Sequence, residues 1–190
     1  MRLRGPYNLY GSTETSIFAV PVAKTKGIYL WTIPFRRKYL TYYVGETGRS
    51  FSDRIMEHTR DYLSGLYRVY DPKHFMRGKK TLIWGGMWKP DRKSPDRMLE
   101  FLNRRSELAP AIHELLGNFR LFLAPTNVQK RMRERIEAAI ASKLSEQSGL
   151  IGSFQDSDIH YSRRQTDEVP IKVKIESSEL ILGLSNELIV

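Results

Sequence analysis

The sequence predicts a small α/β domain, with a short, mainly antiparallel β-sheet flanked by helices. Three observations carry that expectation. Residues 27–33 and 39–45 are aromatic and β-branched runs, joined closely enough to pair as an antiparallel hairpin. Residues 51–65 then show helical spacing of apolar side chains. A compact apolar run at 119–123 is followed by a second, longer helical pattern at 128–147. A chain of 190 residues is long enough to bury one real core.

Each element has its own local reason. Residues 1–24 are mixed, with turn formers at Gly5-Pro6 and Gly11-Ser12, and read as an N-terminal extension. Pro34 and Arg36-Arg37-Lys38 mark the loop between the hairpin strands. Ser50 and Asp53 fit a capping box, in which serine oxygen and carboxylate satisfy free amides at a helix start. Phe51, Ile55, Tyr62 and Leu66 form the apolar face of that helix, which should end near Gly65. From 67 to 117 the pattern is less regular. Thr81–Trp88 is a strand candidate weakened by Gly85-Gly86, and Pro95–Leu116 is a helix broken or bent at Pro110. The helix at 128–147 carries the stripe Val128, Met132, Ile136, Ala139, Ile140 and Leu144. Residues 151–190 are a C-terminal extension with strand-like patches, notably Ile171–Ile175.

Composition removes whole classes of function. The chain has no cysteine, which excludes disulfide frameworks and Cys-ligated zinc and makes the cytoplasm the natural compartment. The basic start is not followed by an apolar run, so no signal peptide is expected, and no stretch is apolar enough for a bilayer partner. The net charge of +10 is unevenly spread. Between Lys73 and Arg105 ten basic residues face three acidic ones, so this segment alone carries +7. A localised basic face suits a polyanion, because each neutralised phosphate releases condensed counterions.

The residues with chemical potential lie on the strand–strand–helix start. Gly27-Ile28-Tyr29 and Tyr43-Val44-Gly45 stand on the two hairpin strands. Arg54 lies nine residues after Gly45, and His58 follows four residues later on the same helical face. Taken singly, each has a bland reading: tyrosines packing in a sheet, Arg54 paired with Asp53 or Glu57, an exposed histidine. On the long helix two carboxylates compete. Glu137 falls at the margin of the apolar stripe, whereas Glu134 lies nearly opposite, facing solvent amid Lys130, Arg131, Arg133 and Arg135.

Taken jointly and in this order, these residues resemble the GIY-YIG endonuclease family. The resemblance covers roughly half of the chain, through the order 27–33, 39–45, 51–65, 119–123 and 128–147. It implies a GIY-YIG-type domain over 25–150, with the basic stretch of about 67–117 as an insertion. It also implies hydrolysis of DNA phosphodiester bonds with one Mg²⁺ or Mn²⁺ ion held by Glu137, which the run Glu137-Ala138-Ala139-Ile140 favours over Glu134. Arg54 would give a fixed guanidinium to a phosphate oxygen. Tyr29 would act as general base, or His58 would take the tyrosine proton, and Tyr43 would orient water or phosphate; the choice of base stays open.

The basic insertion would grip double-stranded DNA through Lys79, Lys80, Lys89, Arg92, Lys93 and Arg97. Phe75, Trp84 and Trp88 are interleaved with these charges, Trp84 inclining towards the core. The implied role is restriction-like, or that of a phage or mobile-element enzyme. Two departures from the family pattern stand out. Thirteen residues separate Tyr29 from Tyr43, which a longer hairpin loop would absorb. The family's asparagine after the glutamate helix has no counterpart between Val128 and Ser185, leaving Gln155 or Asp156 as substitutes. That gap favours the alternative of a catalytically inactive nucleic-acid-binding protein on the same fold.

Overall fold

A computed structural model of the chain describes residues 1–11, 15–88, 93–156 and 159–190. Its strands are β1 (Arg2–Tyr7), β2 (Gly27–Phe35), β3 (Lys38–Thr47), β4 (Val69–Tyr70), β5 (Leu82–Trp84), β6 (Arg120–Pro125), β7 (Lys172–Lys174), β8 (Glu176–Ser177) and β9 (Glu187–Ile189). Its helices are α1 (Phe51–Leu63), α2 (Pro72–Phe75), α3 (Pro95–Asn103), α4 (Arg105–Asn118), α5 (Lys130–Ser145) and α6 (Leu150–Phe154). The chain divides into two compact units, Met1–Ser52 with Phe119–Val190, and Asp53–Asn118.

The first unit is an α/β arrangement around a five-stranded sheet in the order β3-β2-β6-β1-β8. Every pairing in it is antiparallel except β1 with β8, which is parallel. The stretches read as terminal extensions therefore supply two of its strands. The remaining tail pairs β7 with β9.

The strands alternate as a two-sided sheet requires. Ile28, Leu30, Val44, Phe122 and Ala124 share a core with Ile136, Ile140, Ala141 and Leu144 of α5. Tyr29 and Trp31 occupy alternate positions, where Trp31 meets Phe119 edge-on at 4.9 Å and Tyr29 meets Phe51 at 6.3 Å.

The long Tyr29–Tyr43 gap is absorbed differently from the expectation. The hairpin loop is short, with Arg36 and Arg37 both at positive φ (48° and 60°). Such a turn matches the twist of flanking strands. The extra length goes into longer strands and a register shift after Trp31, where Trp31 pairs with Tyr43 and Thr32 with Thr41.

The second unit packs the hairpin β4–β5 with helices. Leu108, Ile112, Leu115 and Leu116 of α4, with Phe75 and Trp84, are buried. The Trp84 indole N–H donates to the Gly65 carbonyl at 2.7 Å. Gly65 has φ +73° and lies so close to Phe101 that a Cβ would sit 2.6 Å from its ring. The helix predicted over Pro95–Leu116 breaks at Arg104, not Pro110. Arg104 holds that corner by donating to the Ile83 carbonyl at 3.0 Å and to Glu107. Pro110 is tolerated inside α4.

Candidate active site

The first unit gathers Tyr29, Tyr43 and Glu137 about one segment of β3. Tyr29 pairs with Gly45 in register. Its phenol lies over that glycine, so that a Cβ there would fall 2.4 Å from the Tyr29 hydroxyl oxygen. Gly45 is thus a steric requirement for the Tyr29 position. The Tyr29 and Tyr43 rings are 6.0 Å apart. Tyr29 is fully buried, whereas Tyr43 is half-buried.

Glu137 reaches β3 from α5. Its Oε1 accepts a hydrogen bond of 2.8 Å from the backbone N–H of Glu46, the residue after Gly45. β3 is the terminal strand of the five-stranded sheet, and this carboxylate satisfies one of its backbone N–H groups. A charge-assisted bond to backbone fixes the carboxylate's direction more firmly than a contact between two mobile side chains.

Three features of this edge escaped the sequence reading. The first is Arg133, assigned to the solvated face of the helix but in fact buried. Its Nε donates to Glu46 Oε2 at 2.8 Å and its Nη1 to the Val128 carbonyl at 2.8 Å. The spacing Arg133, Ile136, Ile140, Leu144 was the available signal, since it places Arg133 on the apolar stripe. The second is Arg135, also buried, whose Nη2 donates to the carbonyls of Val169 and Val190 and ties the tail to α5.

The third is Tyr161, brought in by the C-terminal extension. Its hydroxyl donates to the Val44 carbonyl at 3.3 Å. Burial, followed by Tyr43, Glu137 and Asp156, pushes this phenol well above the usual tyrosine range, so it remains protonated. No spacing in the sequence announces it, because its position depends on the path of the tail. Of the residues offered for the missing asparagine, Gln155 is buried and donates to the Thr41 carbonyl at 2.6 Å. Asp156 accepts from the Tyr42 hydroxyl at 3.3 Å, and its N–H donates to the Tyr42 carbonyl. Both engage β3 upstream of Tyr43.

The two carboxylates of α5 are distinct, though Glu134 departs from expectation. It is half-buried, 3.5 Å from Lys130 and 3.8 Å from Arg131, rather than turned freely to solvent. Val128 also departs: it is exposed and precedes the helix, which starts at Lys130.

Arg54 and His58 lie in the second unit, on α1. Arg54 Nη1 is paired with Glu57 at 3.0 Å. His58 is buried, and its Nδ1 is 2.8 Å from the Tyr67 hydroxyl. Burial first, then the Arg54 charge, lowers the imidazole pKa to about 3, against a smaller opposing effect of Glu57. A histidine so held is neutral at pH 7 and a poor acceptor for a tyrosine proton. It is well suited to fixing Tyr67.

The basic residues of the second unit are used unevenly. Arg97 pairs with Glu100, and its guanidinium stacks 4.0 Å above the buried Trp84 ring. Lys79 and Lys93 are exposed, and Lys80 is half-buried. Lys89 and Arg92 lie outside the described residues. Of the interleaved aromatics, Phe75 and Trp84 are core, whereas Trp88 is 61% exposed.

The donors at the β3 edge are those a hard cation prefers. One carboxylate with nearby phenolic and carbonyl oxygens is an all-oxygen set. It fits Mg²⁺ or Mn²⁺ held by a single protein carboxylate, because Mg²⁺ usually keeps several waters. Among the described residues, no group of three or more His, Cys, Asp or Glu side chains gathers as a closed metal cage. No helix among them is long and apolar enough to cross a membrane. The chain matches no protein-family model, and no curated protein or solved structure is significantly similar to it.

Proposed function

We propose that this chain is a metal-dependent DNA endonuclease of the GIY-YIG type. One observation carries the reading. The Glu137 carboxylate is anchored on the Glu46 amide, one residue beyond the glycine that the Tyr29 phenol covers, with Tyr43 alongside. That juxtaposition joins three residues the resemblance required, from positions more than 100 apart in the chain.

In this reading Glu137 would hold one Mg²⁺ or Mn²⁺, whose positive charge would stabilise the scissile phosphate and leaving oxygen. Glu46 and Arg133 keep the carboxylate's support in place, much as outer partners orient ligands in other metal sites. Tyr43, the less enclosed of the two tyrosines, contacts water or phosphate, and Tyr29 fixes its neighbour from within the sheet. Arg54 and His58 enter through their sequence positions. The resemblance assigns the Arg54 guanidinium to a phosphate oxygen, and His58 holds Tyr67 in place. The basic insertion supports a restriction-like role, or that of a phage or mobile-element enzyme.

The test is incubation of the purified chain with mixed duplex DNA and Mg²⁺, with and without chelator, followed by sequencing of the ends. Cutting that stops with chelator and resumes with added Mg²⁺ or Mn²⁺ is the expected result. Duplex binding with no cutting under any divalent ion would establish the alternative, an inactive nucleic-acid-binding protein. Full activity with metal shown to be absent would overturn the assignment of Glu137.

A further inference from the structure

Two tryptophans of the second unit stand four residues apart and meet opposite fates. Trp84 is 1% exposed, caps its own N–H on Gly65 and lies under Arg97. Trp88 is 61% exposed, although burying so large a ring is ordinarily favourable. Its position is nevertheless organised. The Tyr67 ring lies 5.7 Å away, tilted by 53°, and the Lys93 ammonium sits 5.9 Å from the indole centroid. Tyr67 is itself held by its hydrogen bond to the buried His58 and by an edge contact with Tyr62 at 5.1 Å. The result is an aromatic surface braced from behind and flanked by a cation, within the segment that carries most of the net charge.

We propose that Trp88 is a nucleobase-stacking residue, taking an unpaired or partly unstacked base of the bound DNA strand while Lys93 meets the adjoining phosphate. Every base has a π-face, so an indole beside a cation selects a base-plus-phosphate unit without reading sequence. Charge complementarity argues for this occupant over an apolar protein partner: the flanking group is cationic and the surrounding stretch is strongly basic. The proposal rests on the nucleic-acid part of the reading above and not on its chemistry. It gives His58 a second consequence, since the residue that braces the platform is bonded to it.

The tryptophans make the idea directly measurable. Trp31 and Trp84 are buried, so acrylamide-accessible emission comes from Trp88. The full chain, without divalent ions, is titrated with a single-stranded oligonucleotide, with its paired duplex, and with an abasic deoxyribose-phosphate oligomer of equal charge. Trp emission should be quenched, and shielded from acrylamide, by the single strand and not by the abasic oligomer. A duplex arm matching the single strand would mean that the ring wedges between paired bases, which sustains the stacking and revises the strand state. Trp88→Ala should weaken binding by about 5- to 150-fold, the loss of one stacked base, while Trp88→Phe retains most of the affinity. Both variants should melt with the parent, the ring being exposed. Parent affinity in Trp88→Ala, or equal quenching by the abasic oligomer, would overturn the proposal. If Trp88 stacks but Mg²⁺ never yields cleavage, the nuclease reading fails and the stacking site stands. If cleavage is found and Trp88→Ala binds normally, the reverse holds.

Discussion

The edge of β3 and the basic stretch of the second unit both carry charges that the sequence brings to notice, and they handle them in opposite ways. At β3 the Glu137 carboxylate is pinned to a backbone amide, and the neighbouring Glu46 is paired with a buried arginine. In the basic stretch Arg97 and Arg104 are bound to Glu100 and Glu107, while Lys79 and Lys93 stand exposed. Formal charge alone therefore does not identify a functional cation. Arg97 is held by the fold, and the lysines are available to a partner. At the β3 edge the charged groups have fixed partners within the fold.

The largest expected effect on folding comes from Arg133. Its side chain is 7% exposed and that of Glu46 18%, so removing the guanidinium leaves a carboxylate with little solvent to compensate it. Arg133→Ala should lose about 3–5 kcal/mol in denaturant unfolding. A loss within the range of ordinary surface changes would show that the pair is solvated, and the contrast with the basic stretch would weaken.

The legible part of the molecule was the part with short-range patterning. The hairpin, α1, β6 and α5 each announce themselves through spacing within the element. The roles of β1 and β8 were not legible, because their pairings join segments remote in sequence: Arg4 with Leu123, and Arg2 with Glu176. The break at Arg104 was missed because proline is the stronger local signal, whereas the corner is set by a bond to the distant Ile83 carbonyl. At the β3 edge, Tyr29, Tyr43 and Glu137 were legible as an ordered set, although their closeness to one segment of β3 was not. Arg133 was hidden by its own charge run, which resembles a solvated face, and Tyr161 by the irregular tail that delivers it.

A second expectation concerns pH. The folded His58 imidazole titrates at about 3, below the usual histidine value near 6.5. Between these values the unfolded chain takes up a proton that the folded chain refuses. Its neutral burial is therefore tolerated fully above about pH 6.5, and stability drains away as pH falls from there towards about 3. His58→Gln should flatten that acid limb, read as unfolding free energy against pH. An unchanged limb would mean that His58 is hydrated in solution.

A smaller effect sharpens the contrast within the basic stretch. Neutralising Lys79 and Lys93 together should leave the melting temperature unchanged and reduce the slope of log affinity against log salt by about 2. Arg97→Ala should do the converse, lowering stability through lost packing on Trp84 with less change in salt slope. Should the two variants behave alike, exposure would not separate attachment from folding here.

In the proposed nuclease, Glu137, anchored on the Glu46 amide, carries the chemistry, and Glu134, paired with Lys130 and Arg131, does not. Single-turnover cleavage at saturating protein tests it, because binding defects then cannot imitate chemical ones. Glu137→Ala should cut about 10²–10³-fold more slowly than the parent, with Mg²⁺ present and DNA binding retained. Glu134→Ala should cut near the parent rate. Parent-rate cleavage by Glu137→Ala, or loss of cleavage in Glu134→Ala alone, would rule out Glu137 as the metal-holding carboxylate.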